Sequence, residues 1–172
     1  ATVYFTVNLG PVLDYTPGNE QDNAYLNRTW AYFEIDYTEA DRENTTLDLN
    51  GTVYEMQCNS THCWHNASGL PEGYYVYNAT MNNSDGYNTT ASTRNFTVDT
   101  TLPAIAINSP PSGLVLGSRT ITVNVTAGDA NLDYTGISAV NSTGATVNST
   151  TSAVNGNFAI QLGVPADGTY NI

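Results

Sequence analysis

Short stretches of the chain alternate between apolar and polar residues. The runs ITVNV at 121–125 and NFTV at 95–98 show this period of two most clearly. Because successive side chains of a strand point to opposite faces, the pattern predicts strands with one buried face. Gly, Pro, Asn and Asp separate the runs, and no stretch has the period of an amphipathic helix. The sequence therefore predicts an all-β fold of the β-sandwich type.

An internal repeat divides the chain into two units. Three segments of the first half recur in order in the second half: 5–19 at 96–113, 33–41 at 121–129, and 72–77 at 167–172. The offsets are 91, 88 and 95 residues, which indicates two copies of one unit with loops of different length. The predicted organisation is an N-terminal strand at 1–9, a first domain at 10–99, a linker at 100–102 and a second domain at 103–172.

The second unit is one strand shorter than the first. Ile172 aligns with Tyr77, after which the first unit continues to a closing strand at 93–98. The segment ATVYFTVN at 1–8 matches STRNFTVD at 92–99, but it precedes the first unit. A sandwich without its last strand would have an open core and an unpaired edge, which folded proteins avoid.

The N-terminal segment has the pattern of a donor strand. Val3, Phe5 and Val7 alternate with polar or amphipathic residues, as a half-buried strand requires. We therefore expect residues 1–8 of one molecule to complete the second domain of the next, in donor-strand complementation. Such a head-to-tail contact repeats into an open filament. The alternative is that the 172 residues are a two-domain segment of a longer tandem array.

Composition excludes several function classes. Only 12% of residues are charged, the net charge is −12, and the basic residues are four arginines with no lysine. A nucleic-acid partner is not expected because no basic patch can form, and anionic membrane surfaces are disfavoured for the same reason. The sequence contains no run of 18 apolar residues, so we do not expect membrane insertion. We expect Ala1 to be a mature N-terminus left by cleavage of a secretion signal.

Asparagine supplies the strongest compositional signal. With 21 Asn and 36 Ser plus Thr, about four N-x-S/T glycosylation acceptors would arise by chance. The chain has twelve, which predicts a densely N-glycosylated, extracellular cell-surface protein. The acceptors are Asn27, Asn44, Asn50, Asn59, Asn66, Asn78, Asn82, Asn88, Asn95, Asn124, Asn141 and Asn148.

The two cysteines are separated by only four residues. In an oxidising compartment, Cys58 and Cys63 are expected to form a local disulfide across a hairpin loop. The alternative is a metal site that adds His62 and His65, but the spacing matches no zinc module. We predict the disulfide, with no metal.

Catalytic motifs are missing from the sequence, so we do not expect an enzyme, and we expect no cofactor. Two acidic clusters, one at 36–43 and one at 129–133, could bind calcium, although neither follows the EF-hand order and turns are the preferred interpretation. Twelve Tyr residues with Trp30 and Trp64 could instead form a sugar-stacking, adhesive surface.

Two features resemble known families. The acidic-Gly-x-Tyr segments ending in Tyr75 and Tyr170 resemble the tyrosine corner of immunoglobulin-type domains. The phrase FTVDTTLP at 96–103 resembles the junctions between tandem Ig-like domains of bacterial and archaeal surface proteins. The resemblance extends to archaeal thread-type filaments, whose glycosylated Ig-like subunits are joined by N-terminal donor strands. It implies two tandem Ig-like β-sandwich domains, the second lacking its final strand, plus an N-terminal donor strand.

Overall fold

The computed structural model describes residues 2–4 and 10–172. It divides into two compact units, with the boundary between Thr100 and Thr101, inside the linker that the sequence predicts. Both units consist of antiparallel sheets, and unit 1 also has a short parallel pairing. The prediction of an all-β fold with tandem sandwiches is therefore confirmed. Within the described residues, the structure contains no helix with the length and apolar character that a membrane crossing requires.

Within residues 10–100, unit 1 contains ten strands in two sheets. The first sheet has the order β1-β3-β7-β6, and the second has the order β2-β10-β8-β4-β5 with β9 added on β8. The strands are β1 Val12–Tyr15, β2 Ala24–Leu26, β3 Trp30–Thr38, β4 Arg42–Leu49, β5 Thr52–Glu55, β6 Gln57–Cys58, β7 His62–Ser68, β8 Gly73–Asn83, β9 Asn88–Thr90 and β10 Arg94–Val98.

The inward residues of the two sheets form a closed core in unit 1. Phe33 and Ile35 of β3 are fully buried together with Leu47 of β4, Tyr77 of β8 and Phe96 of β10. In β4 and β10 the neighbours of these residues along the strand are polar and partly exposed, as the alternation predicts. Burial of such side chains contributes roughly 1.5–3 kcal/mol each and is the main driving force for the sandwich.

The turn between β4 and β5 illustrates how local sequence fixes a hairpin. Asn50 and Gly51 connect the strands and have φ values of 51° and 80°. A two-residue type I′ turn requires positive φ at both central positions, which Asn and Gly tolerate best. The Asn50 side chain also accepts a hydrogen bond from the Val76 amide at 2.7 Å, which ties the turn to β8.

Unit 2 contains six strands in two three-stranded sheets. The sheets have the orders β11-β12-β15 and β14-β13-β16. The strands are β11 Ala104–Ser109, β12 Thr120–Gly128, β13 Thr135–Asn141, β14 Thr146–Ser152, β15 Gly156–Gly163 and β16 Tyr170–Asn171. A smaller core forms between the sheets, from Val123 and Val125 of β12, Ile137 and Ala139 of β13 and Leu162 of β15.

The structure corrects one alignment of the repeat. The Leu70 amide donates to the Thr29 carbonyl just before β3, and the Val164 amide donates to the Arg119 carbonyl just before β12. β3 and β12 are both nine residues long and start at Trp30 and Thr120. The two strands therefore correspond at an offset of 90, two residues from the sequence alignment of 33–41 with 121–129.

Candidate functional site

Both units contain a tyrosine whose hydroxyl returns to the preceding loop. Tyr75 Oη donates to the Pro71 carbonyl and Tyr170 Oη donates to the Ala166 carbonyl, each at 2.9 Å and each across four residues. These are the hydrogen bonds that the tyrosine-corner interpretation requires. They show that β8 of unit 1 and β16 of unit 2 are equivalent strands.

In unit 1 the strand β10 closes the sandwich and is held on both edges. It pairs antiparallel with β8 and parallel with β2. Phe96 and Val98 are buried, and Phe96 stacks on Tyr75 with 5.1 Å between ring centroids and a 7° interplanar angle. Phe96 also contacts Phe33 of the opposite sheet at 6.0 Å. β10 therefore covers the core and joins the two sheets.

Unit 2 contains no counterpart of β10 among residues 101–172. Its second sheet ends at β16, which has two residues and pairs only with β13 in the described structure. Directly paired residues of antiparallel strands lie on the same face, so the pairs Ile105–Ala127 and Ile107–Val125 place both isoleucines on the core side of β11. Even so, Ile105 is 57% exposed and Ile107 is 44% exposed.

The equivalent position of unit 1 shows what covers such residues. Tyr15 of β1 pairs with Ile35 on the core side and is only 8% exposed. The Tyr77 ring lies edge-on to it at 5.6 Å, and the Arg94 guanidinium lies 4.2 Å from its ring centroid. Arg94 belongs to β10, which has no counterpart in residues 101–172, whereas Tyr77 aligns with Ile172, which packs against the core of unit 2. We call the uncovered core side of β11 and the free edge of β16 the open face of unit 2.

The predicted donor strand lies mostly outside the described residues. Val3 is 82% exposed. Phe5 and Val7 are among the residues that the structure does not describe. The identity of the strand that meets the open face therefore rests on the sequence match between 1–8 and 92–99.

Cys58 and Cys63 are joined by a disulfide with an S–S distance of 2.04 Å. They are directly paired residues of the β6–β7 hairpin, with Cα atoms 4.0 Å apart. Cys63 is fully buried and belongs to the core of unit 1. The disulfide thus anchors the hairpin to the core, a role beyond the pinned loop that the sequence indicates. Both sulfur atoms are used in this bond, so the alternative metal site has no thiolate ligands.

The two histidines have separate environments. His62 Nε2 lies 2.8 Å from Asp36 Oδ1, and its Nδ1 lies 2.6 Å from the Thr61 hydroxyl. The His65 ring packs against Tyr54 with centroids 4.8 Å apart. Neither histidine lies in the core.

None of the twelve acceptor asparagines is buried. Asn19 and Asn83, which are buried, both lie outside the N-x-S/T pattern. Acceptor side chains therefore reach solvent, as attachment of a sugar requires. The exposed acceptors are Asn27, Asn50, Asn59, Asn66, Asn88 and Asn124, and the half-buried ones are Asn44, Asn78, Asn82, Asn95, Asn141 and Asn148.

The acidic clusters take part in local hydrogen bonding. Asp129 Oδ1 accepts a hydrogen bond from the Asn131 amide at 2.8 Å, which is the turn role that the sequence favours. The Asp41 amide donates to Glu39 Oε1 at 3.2 Å. Across residues 2–4 and 10–172, no three His, Cys, Asp or Glu side chains converge as a cation site.

Sequence reasoning missed a polar network beneath the β1–β2 loop. Asn19 Nδ2 donates to Tyr77 Oη at 2.7 Å, and Tyr77 Oη donates to the Glu20 carbonyl at 2.8 Å. Glu20 also forms an ion pair of 2.6 Å with Arg28. The period-two pattern could not predict this network, because Asn19 and Glu20 lie in a loop and Tyr77 is more than 50 residues away in sequence. Burial raises the pKa of Tyr77 above its ordinary value, and burial raises that of Tyr15 in the same way.

No family model matches the chain, and no curated protein matches it. Among solved structures, it is similar to latent PorU from Porphyromonas gingivalis, with 14% identity and a TM-score of 0.44 over 94% of this chain and 18% of PorU. It is similar to fibronectin(III)-like modules of Clostridium thermocellum CbhA, with 14% identity and a TM-score of 0.39 over 87% of this chain and 78% of that one. A chimeric titin tandem gives 15% identity and a TM-score of 0.38 over 88% and 84%.

Proposed function

We propose that this chain is a glycosylated structural subunit of an extracellular filament. Residues 1–8 of one copy enter the open face of unit 2 of the next copy and complete its sandwich. The observation that carries the proposal is the exposure of Ile105 and Ile107 on the core side of β11, since Tyr15, the unit 1 residue that corresponds to Ile107, is covered. In this function the chain has no catalytic role and no cofactor, and its partners are copies of itself.

The sequence of the N-terminal segment supports its role as the donor strand. The match of 1–8 with 92–99 aligns Phe5 with Phe96 and Val7 with Val98. Phe96 and Val98 are the buried residues of β10. Moving two comparable side chains from water into unit 2 would contribute roughly 1.5–3 kcal/mol each. The new strand would also pair with the free edge of β16.

The disulfide and the acceptors support an extracellular location. Disulfides persist in oxidising compartments and are rare in reducing ones. Twelve solvent-accessible acceptors on a chain with 12% charged residues fit a surface whose solubility depends on sugars. Because the joint connects two different surfaces, each added copy presents a new open face, and repeated addition yields a filament when the rotation between copies does not close a ring.

Electron microscopy of matched variants tests the proposal. The parent chain is expected to form long, beaded filaments, and Phe5→Asp with Val7→Asp to give separate particles, because charged residues cannot enter the open face. Thr6→Asp is the control, since alternation in the proposed donor strand would direct this side chain away from the core. Filaments of equal length from the parent and the Phe5/Val7 variant would refute donor-strand assembly.

A second candidate function is a two-domain segment of a longer tandem Ig-like adhesin or S-layer protein. In that case the closing strand of unit 2 belongs to the same polypeptide. The exposed aromatic side chains of unit 1, among them Tyr25, Trp30 and Tyr74, favour an adhesive surface of this kind. Intact mass of the deglycosylated native protein distinguishes the two: a value near 18.4 kDa supports the subunit, and a much larger value supports the longer protein.

A further inference from the structure

An apolar tripeptide lies exposed in the long connection between β11 and β12. Leu114, Val115 and Leu116 are 50%, 91% and 44% exposed and form no strand in the described structure. They are not part of the core cluster of unit 2. Glycines flank them on both sides, at positions 113 and 117. Three consecutive apolar residues in solvent are unusual for a surface loop and call for a partner.

The corresponding segment of unit 1 is the strand β2. Leu26 ends β2 four residues before β3 starts at Trp30, and Leu116 lies four residues before β12 starts at Thr120. β3 and β12 are the equivalent strands, as the hydrogen bonds of Leu70 and Val164 show. By its distance along the chain from the equivalent strand, the tripeptide 114–116 therefore corresponds to Ala24–Leu26.

In unit 1 this segment binds the closing strand. β2 pairs in parallel with β10, with Phe96 opposite Ala24 and Val98 opposite Leu26. The Asp99 amide donates to the Leu26 carbonyl at 2.9 Å, and the Asn23 amide donates to the Asn95 carbonyl at 2.8 Å. β10 thus lies between β8 on one edge and β2 on the other.

The exposure pattern of the tripeptide matches that of β2. Leu26 is buried and Ala24 partly buried, whereas Tyr25 between them faces solvent. In the same way, Val115 is far more exposed than the leucines on either side of it. This alternation is that of a strand with Leu114 and Leu116 directed toward the core side.

We propose that residues 114–116 are a latent strand that forms only when a donor strand enters the open face of unit 2. The occupant is the segment 1–8 of a second copy, because it matches the sequence of β10. It would pair antiparallel with β16 and parallel with the tripeptide, so that Phe5 meets Leu114 and Val7 meets Leu116. This inference rests on the proposed function and adds the second edge that holds the donor strand.

The absence of a closing strand explains why the tripeptide is not a strand by itself. A short segment gains no ladder hydrogen bonds without a neighbour, while ordering it costs backbone entropy. When the donor arrives, two ladders form at once and both leucines leave water. Folding of the tripeptide and binding of the donor are therefore coupled.

Binding of a labelled peptide to variants of the full chain tests the proposal. The peptide ATVYFTVN is titrated into the chain carrying Phe5→Ser and Val7→Ser, so that its own segment does not compete. Adding Leu114→Ser and Leu116→Ser is expected to weaken binding at least tenfold. Val115→Ser, the matched control with its side chain directed outward, is expected to change binding by less than twofold. Because all three residues lie outside the core, the variants are expected to melt at the same temperature without peptide.

The outcomes distinguish donor-strand addition from the latent strand at 114–116. If the peptide binds the parent and the leucine and valine variants lose equal affinity, the latent strand is refuted while donor-strand addition stands. If the peptide does not bind even the chain that carries only Phe5→Ser and Val7→Ser, donor-strand addition is refuted and the latent strand is refuted with it. Amide hydrogen exchange gives an independent readout: exchange at 114–116 and at 170–172 should both slow on binding. Slowing at 170–172 alone contradicts the latent strand.

Discussion

At the scale of single residues, the tyrosines determine how each sandwich is connected. Tyr75 and Tyr170 make the same hydrogen bond to the carbonyl of the residue four positions upstream. The hydroxyl fixes the loop that leads into β8 or β16. It therefore also fixes where the next strand can pair.

Removing one tyrosine-corner hydroxyl should destabilise its unit modestly. Tyr75→Phe loses one hydrogen bond while keeping the ring stacked on Phe96, so we expect unit 1 to lose about 0.5–1.5 kcal/mol. Both tryptophans of the chain lie in unit 1, so denaturant unfolding followed by tryptophan fluorescence reports that unit alone. Tyr25→Phe, whose ring is exposed, is the control and should change nothing measurable.

Two buried tyrosines predict loss of stability in alkali. Burial raises the pKa of Tyr15 and Tyr77 in the folded unit above about 10, the value in an unfolded chain. The folded unit therefore retains protons that the unfolded chain releases, so their contribution is complete below about pH 10 and falls as pH rises further. Tryptophan-monitored unfolding between pH 8 and 12 should show this fall in unit 1. Tyr15→Phe should make it shallower, and an unchanged slope would contradict the assignment.

At the scale of elements, the period-two pattern identifies strands and faces but not their register. At an offset of either 88 or 90, Phe33 and Ile35 align with inward residues of β12, because a shift of two residues restores the same alternation. The structure chooses 90 through the backbone hydrogen bonds at Thr29 and Arg119. The sequence could therefore predict the core residues of each unit. The correspondence of Leu114–Leu116 with β2 depends on the exact offset between β3 and β12, which only the structure gives.

A row of three acceptors on neighbouring strands predicts a limit on glycan occupancy. Asn82 of β8 lies directly opposite Asn44 of β4 and Asn88 of β9, and its Nδ2 donates to Asn44 Oδ1 at 2.9 Å. Neighbouring strands are about 4.8 Å apart, which is too close for sugar chains on adjacent asparagines. We expect Asn44 and Asn88 to be occupied together, and Asn82 only when both neighbours are free.

Glycopeptide mass spectrometry can measure this limit directly. Cleavage after Arg42 and Arg94 releases one fragment that carries all three acceptors together with Asn50, Asn59, Asn66 and Asn78. Fragmentation of this glycopeptide that resolves the individual sites then gives the joint occupancy of the three. Asn82→Gln should leave the total glycan mass unchanged. The double change Asn44→Gln and Asn88→Gln should allow a glycan at Asn82. Fragments with glycans on both Asn82 and a direct neighbour would contradict the packing argument.

At the scale of the whole molecule, the two units are expected to differ in stability. Unit 1 has a closed core with a disulfide, whereas the core of unit 2 is small and its open face leaves Ile105 and Ile107 in solvent. Partly covered apolar residues contribute less than buried ones. Unit 2 should therefore unfold at the lower temperature.

Calorimetry with the donor peptide tests this difference. We expect two transitions, of which only the upper one coincides with the tryptophan signal of unit 1. In the chain that carries Phe5→Ser and Val7→Ser, whose own segment does not compete, the peptide ATVYFTVN should raise the lower transition, with a stabilisation of about 2.7 kcal/mol at a hundredfold excess over its Kd. A reducing agent should lower only the upper transition, because both cysteines lie in unit 1. A peptide effect on the upper transition would contradict the assignment of the open face.

The sequence by itself determined the strands, their buried faces, the two-unit repeat and the pairing of Cys58 with Cys63, because alternation and spacing are local properties of the chain. Only the tertiary structure decided which strand lies beside which, since a period of two permits several registers. It also decided that Tyr77 bonds to Asn19 and that Ile105 and Ile107 stay exposed, because these depend on residues far apart in sequence. The missing closing strand of unit 2 could be predicted from the repeat, whereas the correspondence of residues 114–116 with β2 required a comparison of each strand of unit 2 with its equivalent in unit 1.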